Sequence, residues 1–309
     1  MVRFIEGPIT VSVPATSANL GPGFDSLGLA LALRDELTAE VTDDGIVIGI
    51  EGNGADDVPR DESHLVVRAM RAAFDVMQGQ PRGLRLHCLN RIPHARGMGS
   101  SSAAIVGGIV LARALVAGGQ LVMDDEAVFR LAAELEGHPD NVAPALHGGF
   151  VISGREANDF WAATSALDPR VSAVVFIPPT PVSTESARGL LPESVPHADA
   201  AANAGRTALL VASLAGKPEL LPLATRDYLH QDYRESAMPE SWALMRALRA
   251  DGHAAIISGA GPTVLVFTDG PMQPLGDWST GAAALVARCP EGWTALHLDL
   301  ETTGARLAG

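Results

Sequence analysis

Residues 9–14 alternate apolar and polar side chains at the two-residue period of a half-buried strand, and the pattern breaks from Ala15 into a turn built on Gly21, Pro22 and Gly23. A short apolar segment, 26–33, follows. Residues 37–41 and 46–50 then read as a hairpin joined by Asp43-Asp44-Gly45, and the acidic stretch 51–61 reads as a surface loop. From 63 to 78, Leu65, Val66, Ala69, Met70, Ala73, Phe74 and Met77 recur at helical spacing, with Ser63 as the expected N-cap. Leu84, Leu86 and Cys88 alternate again, so a strand delivers the chain to Arg96-Gly97-Met98-Gly99-Ser100-Ser101-Ser102-Ala103-Ala104 and the apolar helix behind it.

A second amphipathic helix is expected over about 124–135, ending in Glu134-Leu135-Glu136-Gly137-His138-Pro139-Asp140-Asn141. Gly148-Gly149-Phe150 leads into a strand, and 155–167, with Trp161, reads as irregular. A boundary near 165 therefore divides the chain into 1–165 and 166–309. Beyond it lie a strand at 171–177, a proline turn at 178–181, and a helix that opens at Thr184 and ends near Pro192. Helices follow at about 197–214 and 218–228. Strands at 254–258 and 263–268 flank Gly259-Ala260-Gly261-Pro262, and a helix at 280–288 and a strand at 294–300 close the chain.

At 309 residues, with 47% apolar and 19% charged residues, the chain is long enough for two packed domains and is not disordered in composition. A net charge of −14 without a Lys/Arg cluster excludes the electrostatic footprint of a nucleic-acid or anionic-membrane binder. Any phosphate must therefore be held by backbone N–H groups, a metal and a few arginines. Cys88 and Cys289, without metal-ligand spacing, read as two buried free thiols in a reducing compartment. The N-terminus has no secretory pattern and the longest apolar run is too short to span a bilayer, so a cytoplasmic location is expected.

The glycine and hydroxyl run has the makings of a phosphate seat. A helix starting there presents unpaired N–H groups and its positive dipole end, and the glycines let an anion approach. A plain glycine turn before a core helix would share the pattern. No Gly-Lys-Ser/Thr tripeptide occurs, Ser102 stands where a dinucleotide loop needs glycine, and the protein-kinase motifs are missing, so if this loop binds ATP it does so in another fold. Glu134, Glu136, His138, Asp140 and Asn141 fall within eight residues of each other, a cluster that lacks the ligands for zinc and suits magnesium. Asp25 either caps the segment behind it or orients or deprotonates a hydroxyl, with Asn19 as a neutral neighbour. Arg188 and Arg234 could each fork onto a carboxylate or phosphate.

Three stretches together resemble the GHMP kinases, the superfamily of galactokinase, homoserine kinase, mevalonate kinase and phosphomevalonate kinase. Pro14-Ala15-Thr16-Ser17-Ala18-Asn19-Leu20-Gly21-Pro22-Gly23-Phe24-Asp25 looks like the first motif, Gly97-Met98-Gly99-Ser100-Ser101-Ser102-Ala103 like the phosphate loop, and Ser258-Gly259-Ala260-Gly261-Pro262-Thr263 like the third. With His138-Pro139-Asp140-Asn141-Val142-Ala143-Pro144, the first motif is similar to the homoserine kinase branch. The resemblance implies a two-domain α+β fold: residues 1–165 as an ATP-binding domain like domain 2 of ribosomal protein S5, and 166–309 as a ferredoxin-like domain. It implies transfer of the ATP γ-phosphate to the side-chain hydroxyl of L-homoserine, on the route to threonine, with Mg2+.

On the resemblance, nucleotide contacts fall at His94, Ala95, Arg96, Gly97, Met98, Gly99, Ser100, Ser101, Ser102, Ala103 and Ala104, with Gly259 and Gly261. Ser101 and a glutamate, Glu136 in preference to Glu134, are implied as metal partners. Asn19, Asp25, His138, Asn141, Thr184, Arg188 and Arg234 are implied around the amino alcohol. Homoserine's carboxylate calls for arginine and its ammonium for an oxygen donor such as Asp25 or Asn141. Met98 stands where leucine is usual, a volume-conserving change. A homodimer is expected because the family often forms one. A kinase for another small alcohol such as mevalonate, or a non-catalytic relative, remain as alternatives.

Overall fold

The computed structural model describes residues 2–269 and 280–308. Its first part runs β1 (Ile9–Ala18), β2 (Leu27–Thr42), β3 (Gly45–Gly52), α1 (Leu65–Val76), β4 (Gly83–Asn90), α2 (Ser100–Leu115), α3 (Gly119–Val122), α4 (Asp125–Glu136), α5 (Val142–His147), β5 (Phe150–Glu156) and β6 (Asp159–Ser165). The second runs β7 (Val171–Ile177), α6 (Thr184–Arg188), α7 (His197–Leu214), α8 (Leu221–Ala224), α9 (Pro239–Ala250), β8 (Ala254–Ile257), β9 (Val264–Asp269), α10 (Thr280–Val286), β10 (Thr294–Asp299) and β11 (Arg306–Leu307).

One sheet is ordered β11-β1-β2-β4-β3, with β5 also on β2 and β6 on β5. The other, β10-β7-β9-β8, is antiparallel throughout, and its fourth-first-third-second order with helices in two connections is the ferredoxin-like arrangement. The expected α+β class is what the chain adopts. β7 is buried on both faces and belongs to two cores: Val171, Ala173 and Val175 pack with the first sheet and its helices, while Val174 and Phe176 pack with Met245, Leu248 and Leu285 of α9 and α10. β11 crosses back to pair with β1, so the last residues complete the first sheet rather than the second.

Several local expectations give way to tertiary pairing. β1 does not break after Pro14 but continues to Ala18, absorbing the proline at a register shift between Pro14 and Ala15, where a missing N–H is tolerated. The hairpin of 37–41 with 46–50 does not form. β4 lies between β2 and β3, parallel to β3. Leu84, Leu86 and Cys88 are fully buried there, whereas β3 leaves Val47 60% exposed and suits the sheet edge. The N-cap of α1 is His64, whose Nδ1 accepts the Val66 N–H, and Ser63 bonds Asp61 instead. The stretch read as irregular holds β6, with Phe160 and Ala162 turned inward and Trp161 outward. The 218–228 helix stops at Ala224 after a 3₁₀ turn at Pro218–Leu220. Helix α9 has no counterpart in the sequence reading, although Ser241, Met245 and Leu248 carry its buried face. Cys88 is buried, but Cys289 is only partly so.

Asp35, buried on β2, accepts the N–H groups of Arg91 (2.6 Å) and Ile92 (2.8 Å) with one oxygen and so ties the loop after β4 to β2. Burial outweighs these bonds and pushes its carboxyl up to about 6. The folded state thus binds the proton more tightly than the unfolded chain, and the stability present below pH ~4 is lost as pH rises through ~6, about 3 kcal/mol in all. Asp35→Asn keeps the acceptor oxygen and removes the charge. Denaturant unfolding is expected to show the variant gaining on the parent between pH 4 and 7 and exceeding it at pH 8; a gap that does not widen with pH contradicts this account.

Candidate active site

The chain leaves β4 through a loop that enters α2 at Gly99. Gly97 (φ 73°) and Gly99 (φ 70°) both lie in the left-handed region. A Cβ on Gly97 would strike the Ser258 carbonyl oxygen, and one on Gly99 would strike Thr16 Oγ1. No side chain caps α2, and its first internal bond runs from the Ala103 N–H to the Gly99 carbonyl at 2.9 Å. The N–H groups of Ser100, Ser101 and Ser102 are therefore left at the helix mouth. Among the loop residues, Met98, Ser102 and Ala103 bury their side chains, so they can meet a ligand only through backbone or hydroxyl atoms. Arg96 lines the cleft and is also held from behind. Its guanidinium donates to the carbonyls of His94, Pro178 and Pro179, which clamps the loop to the proline turn.

The third glycine stretch buttresses this loop. Ser258 Oγ donates to the Gly97 carbonyl (2.6 Å), and the Gly259 N–H donates to the Ala18 carbonyl (3.0 Å). Gly259 lines the cleft in front of the loop, whereas Gly261 sits behind it against Gly97 and Met238, outside the cleft wall. The cleft, about 250 Å³, is walled by the loop, Asn19, the end of α4 and the start of α5, Thr184 and Arg188 of α6, and Arg234.

Asn19 (φ 66°), Leu20 (φ 49°) and Asp25 (φ 54°) hold left-handed backbone in the first motif, a concentration of strain that surrounding bonds must maintain. Asn19 does this directly: its Oδ1 accepts the Asp25 N–H and its Nδ2 donates to the Gly259 carbonyl, both at 2.9 Å. One end of the amide thereby fixes the first motif and the other joins it to the third. Asp25 is not a helix cap. Its carboxylate takes two hydrogen bonds from Arg188, at 2.6 and 3.0 Å, and it borders the cleft through that arginine. Arg188, in turn, is held above its usual pKa by that hydrogen bond, against burial.

Arg234 is 1% exposed and bonds Ala187 O, Gly259 O and His230 Nδ1. Burial, with Arg188's charge next, lowers its pKa to about 10, so it stays charged at neutral pH. An arginine only donates; His230 Nδ1 must accept, and Nε2 donates to the Gly21 carbonyl at 2.7 Å. Burial keeps this imidazole neutral. Phe24 lies under Arg188 (5.4 Å), Arg234 (5.6 Å) and beside His230 (5.2 Å), a ring platform for two cations. Sequence reasoning passed over Phe24 and His230. A histidine four residues before Arg234, one helical turn away, was the available signal.

At the helix mouth Ser101 Oγ (2.6 Å) and Ser102 Oγ (3.0 Å) both donate to Glu136 Oε1. Glu134 is exposed and outside the cleft wall. His138 Nδ1 bonds the buried Asp140 carboxylate at 2.7 Å. Burial alone would lower this histidine's pKa, but the bond to Asp140 and the charges of Asp140 and Glu136 raise it above the ordinary value. Asn141 lines the cleft, and its Oδ1 accepts from Thr16 Oγ1 at 2.8 Å, so Nδ2 is the end of the amide that this bond does not use. Among the described residues no three His, Cys, Asp or Glu side chains converge on a metal position.

His94 and Ala104 lie apart from the cleft. They wall a second cavity of about 230 Å³, with Leu37, Val58 and Leu65, and it shares Ser100 and Ser101 with the cleft. A small apolar chamber and a polar cleft thus meet at one helix mouth.

Comparison with known proteins gives the family. The profile for the GHMP kinases N terminal domain matches residues 64–149, and that for GHMP kinases C terminal matches 208–288. The homoserine kinase of Streptomyces avermitilis is 55% identical over 98% of this chain and 96% of its own, and that of Clavibacter michiganensis is 50% identical over 96% and 93%. The crystal structure of homoserine kinase from Cytophaga hutchinsonii superposes with a TM-score of 0.82 at 23% identity over 99% of each chain. L. major mevalonate kinase superposes at 0.72 with 16% identity, over 98% of this chain and 100% of its own, and shows the shared fold. With both domain profiles matched and 50–55% identity to homoserine kinases over nearly the whole chain, the chain belongs to the GHMP kinase family, in its homoserine kinase branch.

Proposed function

We propose that the cleft transfers the γ-phosphate of ATP to the side-chain hydroxyl of L-homoserine, and the observation that carries this is the Asp25–Arg188 ion pair beside an uncapped helix mouth. A zwitterionic amino acid can enter that pair without changing the net charge: its carboxylate takes Arg188 and Arg234, and its ammonium takes Asp25. The substrate hydroxyl then lies toward Asn141 Nδ2 and His138. Since Asp140 holds Nδ1 of His138, Nε2 is the nitrogen free to face the cleft. ATP seats its base in the apolar chamber and its phosphates across the N–H groups of Ser100 to Ser102.

Phosphoryl transfer passes through a loose transition state, so the residues act mainly by positioning and by meeting charge on the γ-oxygens. Ser101 Oγ and the Glu136 carboxylate, two hard oxygen donors 2.6 Å apart, fit Mg2+ that arrives with the nucleotide and takes its remaining ligands from phosphate and water. When bound, that ion supplies positive charge across the phosphates.

ADP release across a panel of amino-acid and isoprenoid alcohols is expected to be fastest with homoserine. Equal or faster turnover of mevalonate, which has no ammonium, would overturn the assignment. Within the cleft the two substrates separate by residue. Ser101→Ala is expected to lower kcat/KM for Mg-ATP about 10- to 100-fold while sparing homoserine binding, the loss of one hydrogen bond to a charged group. Arg234→Gln, checked for folding by circular dichroism, should do the reverse; equal effects of both variants on both substrates reject the division.

A further inference from the structure

The 226–232 loop that carries His230 also walls a separate cavity of about 330 Å³, which shares no lining residue with the cleft. Three arginines, Arg226, Arg246 and Arg249, are among its lining residues. Arg249 is drawn in by neutral acceptors: the carbonyls of Thr225 (3.1 Å), Ala255 (2.8 Å) and Pro222 (3.3 Å) and the Thr225 hydroxyl (3.2 Å). Arg246 lies over the Trp242 ring at 5.0 Å. Among the described residues none of the three is in an ion pair. Burial, and next the charge of Arg226, lower the Arg249 pKa, so the like charges feel one another.

Two carboxylates border the cavity, and both accept hydrogen bonds from neutral donors. Asp227 accepts the N–H groups of Leu229, His230 and Gln231, and Asp232 accepts the Trp242 indole N–H. Both carboxylates also act on the charge of Arg249, so three arginines against two aspartates leave the cavity net positive by one in a chain of net charge −14, a seat for an external anion. We propose that this cavity binds a small metabolite through a phosphate or carboxylate group, and that its occupancy tunes the homoserine side of the cleft.

The route of coupling is short. Asp227 lies 3.7 Å from His230 Nε2, and His230 bonds Arg234. Gln231 Oε1 accepts the Ile257 N–H at 2.6 Å, two residues before Gly259, whose carbonyl is another Arg234 anchor. An anion that pulls on the 226–232 loop therefore moves two supports of Arg234 at once.

The test uses the full-length enzyme filled with a non-hydrolysable ATP analogue, magnesium and homoserine, titrated calorimetrically with inorganic phosphate and, separately, with succinate. One further saturable site is expected for at least one probe, and which probe binds names the group. Arg226→Gln/Arg246→Gln, both on the exposed rim, is expected to weaken it by about tenfold or more. Homoserine KM should shift several-fold with the probe in the parent and not in the double variant. No saturable binding of either probe, or equal affinity in the double variant, overturns the site; binding that leaves homoserine KM unmoved overturns the coupling.

Discussion

Asp25→Asn raises the KM for homoserine by about 10- to 100-fold, the effect of losing one hydrogen bond to a charged group at a half-exposed ion pair, and leaves the KM for ATP near its parent value. Asparagine is the informative replacement because Asp25 sits at φ 54°, a conformation Asn tolerates better than Ala. The amide retains an oxygen toward Arg188 and loses only the charge that should meet the substrate ammonium. The sharper readout is discrimination: the parent should strongly prefer homoserine over 4-hydroxybutyrate, which has the same hydroxyl and carboxylate but no ammonium. In Asp25→Asn that preference should largely vanish. If kcat falls while discrimination persists, Asp25 serves the attacking hydroxyl instead, and the zwitterion exchange is wrong. The engagement of both carboxylate oxygens by Arg188 is what favours the charge-recognition outcome.

What could be read from the chain alone was whatever depends on neighbours in sequence. The phosphate loop was legible because strand, glycines, hydroxyls and apolar helix follow one another within thirty or so residues, and helix-mouth N–H groups are a local property. Glu136, His138 and Asn141 were legible for the same reason. The partners of Arg188 and Arg234 were not: Asp25 lies 163 residues from Arg188, and only the docking of α6 against the first motif joins them. Side-chain capacity was equally hidden. Asn19 and Arg96 line the cleft, and what the sequence did not show is that the Asn19 amide also joins two motifs and the Arg96 guanidinium also clamps the loop. Sheet order failed for a related reason, since a short Asp-Asp-Gly connection favours a hairpin locally while burial of Leu84, Leu86 and Cys88 favours β4 at the centre.

Glu136→Gln is expected to lower kcat by about 10²- to 10³-fold, the range seen when one preorganised electrostatic contact to a reacting centre is lost. Direction distinguishes its role. A carboxylate facing a polyphosphate is repulsive unless a cation lies between them, and Glu136 Oε1 is 2.6 Å from Ser101 Oγ at the helix mouth where the phosphates are expected to sit. The variant should therefore bind ATP several-fold more tightly than the parent in the presence of a chelator, and more weakly when magnesium is supplied, with half-saturation moved to higher Mg2+. Gln keeps the acceptor oxygen for Ser101 and Ser102, so the helix mouth stays in place and a change in unfolding midpoint should be small. Glu134→Gln, two residues earlier and outside the cleft wall, serves as the control and should change neither affinity. A parent and variant that respond identically to chelator, or a Glu134 variant that behaves like the Glu136 one, would remove the metal role from Glu136 and leave it as a hydrogen-bond acceptor for the two serines.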